Sequence, residues 1–176
     1  MVYTSRIEDL PNRREGETMA KFLREDNMCF ACSARNPIGL KLKFEQDGDI
    51  CRTYFIAGTE HQGWNGVLHG GLVATLLDEV MAQWLWVRDI ATMTAEITTR
   101  YSKAVPVGER LTLEANLLAD RRRLVEMAGR LILPDGTVAA RAKAKFLKMD
   151  PEKMSKGELK LEQNRGRGAA EEKPDK

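Results

Sequence analysis

The 176-residue chain reads as an α+β domain in which a curved antiparallel sheet of about six strands wraps one long buried helix. Three observations predict it. From Leu72 to Val87 the sequence is apolar on nearly every helical face, interrupted only by Thr75, Asp78, Glu79 and Gln83, and such a helix sits inside something. On either side of it run segments with the period-2 alternation of half-buried strands. Between those segments stand the glycine, proline and aspartate clusters that turn a hairpin.

Gly39 to Glu45 alternates as Leu-Lys-Leu-Lys-Phe-Glu, a half-buried strand. Ile50 to Ala57 is a second run of strand formers, and Gln46-Asp-Gly-Asp49 turns the chain between them. A glycine-rich polar loop, Gly58 to Leu68, leads to the helix. Met93 to Tyr101 is rich in Thr and Ile. The turn Val105-Pro-Val-Gly-Glu109 precedes Arg110 to Leu118, where Leu111, Leu113, Ala115 and Leu117 alternate. Asp120-Arg-Arg-Arg123 turns into Leu124 to Leu133. Pro134-Asp-Gly136 turns into Thr137 to Met149, with Val138, Ala140, Ala142, Ala144 and Phe146 on one face. Two strands, a helix and four strands are simplest to pack by wrapping the sheet around the helix.

These elements fill a domain at residues 29–150. Residues 1–28 form a polar extension with a short helix expected at Gly16 to Glu25. Residues 151–176 carry almost nothing apolar after Leu161, and such a tail is expected to be disordered because it cannot bury enough surface to fold. The net charge of +2, from 28 basic and 26 acidic residues, points to neither nucleic acid nor a membrane as partner. The first residues hold no apolar core of signal-peptide length. The long helix is short for a membrane span, and Asp78 and Glu79 would each cost about 2–3 kcal/mol on insertion. Three cysteines cannot all pair, which suits a reducing cytoplasm.

His69-Gly70-Gly71 opens the helix and Asp78 stands near its middle. Two glycines leave backbone N–H groups open to a polar ligand at the positive end of the helix dipole. A buried carboxylate costs several kcal/mol unless partners satisfy it. Together they suggest an active site. Gly70 and Asp78 are eight residues apart, about 12 Å at the helical rise. Either the two ends serve different purposes, or the site joins the helix start of one chain to the helix middle of another across a two-fold axis.

The run His61-Gln-Gly-Trp-Asn-Gly-Val-Leu-His69-Gly-Gly-Leu-Val-Ala-Thr-Leu-Leu-Asp78-Glu resembles the signature of PaaI-like hotdog-fold thioesterases of the 4-hydroxybenzoyl-CoA type. Cys29-Phe-Ala-Cys-Ser-Ala-Arg-Asn36-Pro-Ile-Gly-Leu40 is similar to the lead-in of one branch, and Arg100-Tyr-Ser-Lys-Ala-Val-Pro-Val-Gly108 to the later strand and turn. The resemblance covers about residues 29–149. It implies a hotdog fold, hydrolysis of acyl-CoA or related thioesters without metal or cofactor, and homodimers or dimers of dimers.

The resemblance implies that Gly70 N–H, helped by Gly71, forms the oxyanion hole, and that Asp78 is base or nucleophile. It also matches Thr94 to a position where a hydroxyl orients water, although Thr in a strand also reads as simple strand propensity. Glu79, about 100° round the helix from Asp78, reads as meeting a backbone or dimer partner, or as sharing the site. His69 reads as orienting the loop through a ring hydrogen bond. Asn65 is a candidate second carbonyl donor, although this branch often carries Pro there and the family's Asn usually lies nearer Gly63. His61 packs the loop or lines the pocket. Arg100 and Lys103, with Arg121, Arg122 and Arg123, are candidates for the CoA phosphates. Trp84 and Trp86 read as core or dimer packing. Cys29 and Cys32 form a lone C-x-x-C. With His61 and His69 they make four conceivable zinc ligands, but the spacing matches no common finger and the cysteines read as buried thiols. Two rivals share the fold. A sensor of acyl-CoA needs no buried acid, and a dehydratase wants a histidine facing it, for which His69 is the candidate.

Overall fold

The computed structural model describes residues 28–150. The short helix expected at Gly16 to Glu25 and the tail at 151–176 lie outside the described residues. In chain order the elements are β1 (Phe44–Asp47), β2 (Ile50–Ile56), a single 3-10 turn (Thr59–His61), β3 (Gln62–Trp64), β4 (Val67–Leu68), α1 (Gly70–Trp86), β5 (Thr92–Tyr101), β6 (Arg110–Asp120), β7 (Leu124–Ile132) and β8 (Val138–Lys148). The main sheet has 6 strands in the order β1-β2-β6-β7-β8-β5, every neighbouring pair antiparallel. β3 and β4 make a separate small ladder. No helix among the described residues is long and apolar enough to cross a membrane.

α1 touches all six strands of the main sheet. Val73, Leu76, Leu77, Val80 and Met81 are fully buried against Leu111 and Leu113 of β6, Met127 and Leu131 of β7 and Phe146 of β8. Burying each such side chain contributes about 1.5–3 kcal/mol. β7 carries Gly129 beneath the helix, where a Cβ would lie 3.4 Å from both Leu77 and Met81. A bare backbone there lets helix and sheet approach closely, which offsets the roughly 0.5–1 kcal/mol that an interior strand glycine costs.

Two expectations need correction. The helix is buried on one side only. Ala74, Thr75, Asp78, Ala82 and Trp86 are half-buried, and Gly70 and Gly71 are exposed, because a single sheet layer covers one face of a cylinder. The first strand is also shorter than its alternation suggests, pairing only at Phe44–Asp47. Leu42 is buried, and Leu40 and Phe44 pack against the core. Their neighbours in the backbone ladder differ, however. Leu40 N–H donates to Phe30 C=O at 2.8 Å and Leu42 N–H to Ala31 C=O at 3.0 Å, while Lys41 between them takes φ 55. Side-chain alternation thus outlasts the strand.

Candidate active site

The start of α1 is held by two histidines. His69 is the N-cap, and its Nδ1 accepts from Gly71 N–H at 3.0 Å. Gly71 N–H is therefore engaged, contrary to the reading that both glycine amides stand open. Gly70 N–H meets no acceptor among the described residues. His69 N–H donates to His61 C=O at 2.9 Å. His61 Nδ1 in turn accepts from Gly58 N–H at 2.9 Å, with its ring edge-on to Phe55 at 5.1 Å. These bonds make His61 a fastening of the loop. Gly63 lies so close that a Cβ there would meet the His69 ring at 3.0 Å.

Sequence reasoning missed Tyr101. It lies at the end of β5, and its Oη donates to Gly70 C=O at 2.9 Å. The only signal was an aromatic residue inside the Arg100–Gly108 stretch. Asn65 occupies the exposed two-residue turn between β3 and β4, followed by Gly66 at φ 77. Positive φ at the second turn position is what glycine supplies there, and it leaves Asn65 exposed at the first.

At the middle of α1, Thr94 Oγ1 donates to Asp78 Oδ1 at 2.9 Å. Thr94 comes from β5, where the register with β8 shifts between Thr94 and Glu96; such a bulge re-aims a side chain. Asp78 is half-buried in the single chain. Burial pushes its carboxyl above the ordinary aspartate range, the Thr94 hydroxyl pulls it back in part, and the Glu79 charge adds to the push. Asp78 is thus held against its charge, which suits a group that must take a proton.

The adjacent acid looks elsewhere. Glu79 Oε2 accepts from the Cys29 thiol at 3.7 Å and Oε1 from Gln83 Nε2 at 3.1 Å. Gln83 Nε2 also reaches Cys32 Sγ at 3.7 Å. The hydrogen bond from Cys32 pulls the Cys29 thiol down to about 6, against burial and the Glu79 charge. The same pairing with Cys29, together with burial, pushes Cys32 up. Both thiols are half-buried, not buried as the sequence suggests. They line a cavity of about 780 Å³ with Glu79, Ala82, Trp86 and Thr92.

The remaining candidates sit apart. Arg100 is exposed on β5 opposite Arg141, and Lys103 is exposed just beyond it. Arg121 pairs with Glu126 at 3.2 Å. Trp84 is buried with its Nε1–H donated to Asp49 C=O at 2.8 Å. A second acid withdrawn from water, Glu114 of β6, carried no signal in the sequence. Arg52 Nη2 meets its Oε1 at 2.7 Å and Arg130 Nη2 its Oε2 at 2.7 Å. Burial alone would raise this carboxyl, but the two guanidinium groups outweigh it and hold it below the usual range.

Residues 65–140 match the family model of the thioesterase superfamily. The chain is 26% identical over 162 residues to the acyl-coenzyme A thioesterase THEM4 of Mus musculus, covering 82% of this chain and 70% of that one. A solved thioesterase superfamily protein superposes with TM-score 0.63 at 30% identity, over 66% of this chain and 61% of that one. The PaaI protein of the E. coli phenylacetic acid degradation operon gives 0.59 at 14% identity, over 62% and 84%. A hypothetical thioesterase protein of Streptococcus pneumoniae TIGR4, solved with coenzyme A, gives 0.58 at 17% identity, over 61% and 85%. That protein was also solved with an aspartate and with a threonine replaced by alanine, sixteen positions apart. Residues 65–140 are thus similar to the thioesterase superfamily, and the six-stranded antiparallel sheet with one long helix packed against it is the hotdog fold of these neighbours.

Proposed function

We propose that the protein hydrolyses an acyl-CoA, or a related acyl thioester, to a carboxylic acid and a free thiol. The observation that carries this reading is Asp78, a carboxylate raised by burial and bound to the Thr94 hydroxyl at 2.9 Å in the middle of the His-Gly-Gly helix. The 16-residue separation of Asp78 and Thr94 equals that of the aspartate and threonine replaced in the S. pneumoniae protein.

The thioester carbonyl accepts the Gly70 N–H at the helix start, where the macrodipole is positive. A donor aimed at the developing oxyanion is typically worth on the order of 10²–10³ in rate. Asp78 either takes a proton from the water that attacks the carbonyl carbon or attacks that carbon itself. In both routes the tetrahedral intermediate collapses by breaking the C–S bond, and the thiolate leaves. The first route yields the acid directly, while the second leaves an anhydride on Asp78 that water hydrolyses to the acid and free Asp78. Besides the substrate, only water is consumed.

Gly70 and Asp78 of one chain stand about 12 Å apart along α1, too far to serve one carbonyl. The site is therefore shared, with the amide of one chain facing the acid of its partner across antiparallel helices. Two features support a homodimer. The side of α1 that the sheet leaves open carries Ala74, Thr75 and Ala82, all half-buried. β5, which supplies Thr94, is an edge strand. A dimer of dimers is compatible with the same pairing. A dehydratase would need a histidine facing the acid, whereas His69 is bound to Gly71 at the helix start.

The test is a panel of acyl-CoA substrates with thiol detection. Release of CoA from at least one of them, above the rate of an Asp78→Asn control, is expected. Tight binding across the panel without turnover would overturn the enzyme in favour of a sensor.

A further inference from the structure

Three ligand atoms outside the hydrolytic site converge on one point. The Sγ atoms of Cys29 and Cys32 and a carboxylate oxygen of Glu79 all lie within 4.8 Å of one another. The thiols come from the C-x-x-C turn ahead of the first strand, and Glu79 comes from α1, 50 residues after Cys29. Neither histidine is among the converging groups, and the Nδ1 atoms of His61 and His69 accept from Gly58 and Gly71 instead.

Two thiols and a carboxylate make a poor apolar core and a good soft-metal donor set. A two-residue gap is the usual spacing of paired cysteine ligands. Zinc bond lengths of about 2.3 Å to sulfur and 2.0–2.2 Å to oxygen place tetrahedral ligand atoms roughly 3.5–3.8 Å apart. Atoms within 4.8 Å of one another need a contraction of at most about 1.3 Å by that comparison. Outer groups already orient the donors. Ala31 N–H points at Cys29 Sγ from 3.3 Å, and Gln83 Nε2 bridges Cys32 Sγ and Glu79 Oε1. Such partners fix metal ligands in known sites. The cavity of about 780 Å³ that these residues line leaves room for a further ligand.

We propose that Cys29, Cys32 and Glu79 bind one thiophilic divalent cation, zinc by preference, with a water from the cavity as fourth ligand. The site departs from the sequence expectation of no metal. It ties the C-x-x-C turn to the helix that carries Asp78, and it stands whether or not the hydrolytic reading does.

The test uses the full chain, reduced and stripped with a chelator, titrated with Co²⁺ and then with Zn²⁺. One Co²⁺ per chain is expected, with a thiolate-to-cobalt charge-transfer band and the intense visible bands of a tetrahedral ion. Zn²⁺ displaces it and raises the thermal midpoint, as a ligand specific to the folded state does. Cys29→Ser and Cys32→Ser each weaken Zn²⁺ binding at least tenfold. Glu79→Gln weakens it while keeping the charge-transfer band, and Cys51→Ser matches the wild type. The wild-type spectrum decides even if a variant misfolds. A weak octahedral cobalt spectrum on the reduced chain would overturn the site. So would Zn²⁺ affinity that survives removal of both thiols.

Discussion

Glu114 stands in β6 between two guanidinium groups, Arg52 from β2 and Arg130 from β7, each within 2.7 Å of a carboxylate oxygen. Asp78, on α1, is also drawn out of water, yet its hydrogen-bond donor is the neutral Thr94 hydroxyl at 2.9 Å. The two environments move the acids in opposite directions. Paired charge holds Glu114 down, while uncompensated burial pushes Asp78 up. The first arrangement stabilises the fold through an anion it has neutralised. The second keeps a carboxylate whose proton affinity is raised, at a cost in stability that a purely structural acid would not carry. Substitutions at the two positions should therefore separate activity from stability.

The largest effect is expected at Asp78. Asp78→Asn should lower kcat by about 10²-fold or more, because the base or nucleophile is removed while the Thr94 bond is kept. Its stability should not fall. A carboxyl whose folded pKa is raised contributes fully below its unfolded pKa and loses that contribution as pH rises through the folded value. At neutral pH Asn therefore removes a cost, and thermal unfolding should show a midpoint no lower than wild type. Steady-state kinetics and calorimetry on one preparation check both halves.

A smaller effect is expected at Thr94. Thr94→Val deletes the donor to Asp78 while keeping the β-branched shape, and should lower kcat about tenfold, the worth of one hydrogen bond of roughly 1–1.5 kcal/mol. Thr94→Ser should restore most of it. Equal activity in the Val and Thr proteins would make Thr94 a strand residue only.

Glu114→Gln should leave kcat within about twofold and instead cost about 1–2 kcal/mol of stability at neutral pH, a modest value because Arg130 is half-exposed. The sign follows from the lowered pKa. The contribution of Glu114 is present above the unfolded value, near 4.3 for Glu, and is lost as pH falls through the folded one. Denaturation curves of wild type and variant should converge as the pH falls through the lowered folded value, beneath the ordinary glutamate range.

The same contrast shows what the sequence could reveal. The hairpins and α1 were legible because period-2 runs, turn residues and a long apolar segment are local signals. β1 was misplaced because Leu40 and Leu42 take their backbone partners from Phe30 and Ala31, which alternation cannot indicate. The β3–β4 ladder escaped because strands of 3 and 2 residues are too short to show a period. Glu114 lies on the polar phase of β6, and only the arginines that β2 and β7 bring to it distinguish it from a solvated residue. Asp78 stood out as an acid in an apolar run. Thr94 was marked by the family resemblance alone, since only the approach of β5 to the helix distinguishes it from any strand threonine. The open and closed sides of α1 were indistinguishable, because the segment is apolar on nearly every helical face.

The sharing of each site between two chains is tested most directly by mixing two inactive variants. Asp78→Ala removes the acid. Gly70→Pro removes the oxyanion donor at the first helical position, where proline fits a helix. His69 before it is already extended, at φ −60 and ψ 131, as the residue preceding a proline prefers. A Cβ at Gly70 would approach Tyr101 no nearer than 3.7 Å, ordinary van der Waals contact. In a mixed dimer one site collects both lesions and the other neither. Co-refolding equal amounts makes about half the dimers mixed, so roughly a quarter of all sites should work. Recovery of about that fraction of wild-type activity is the predicted result. Folded mixed dimers without activity would contradict it and confine each site to one chain.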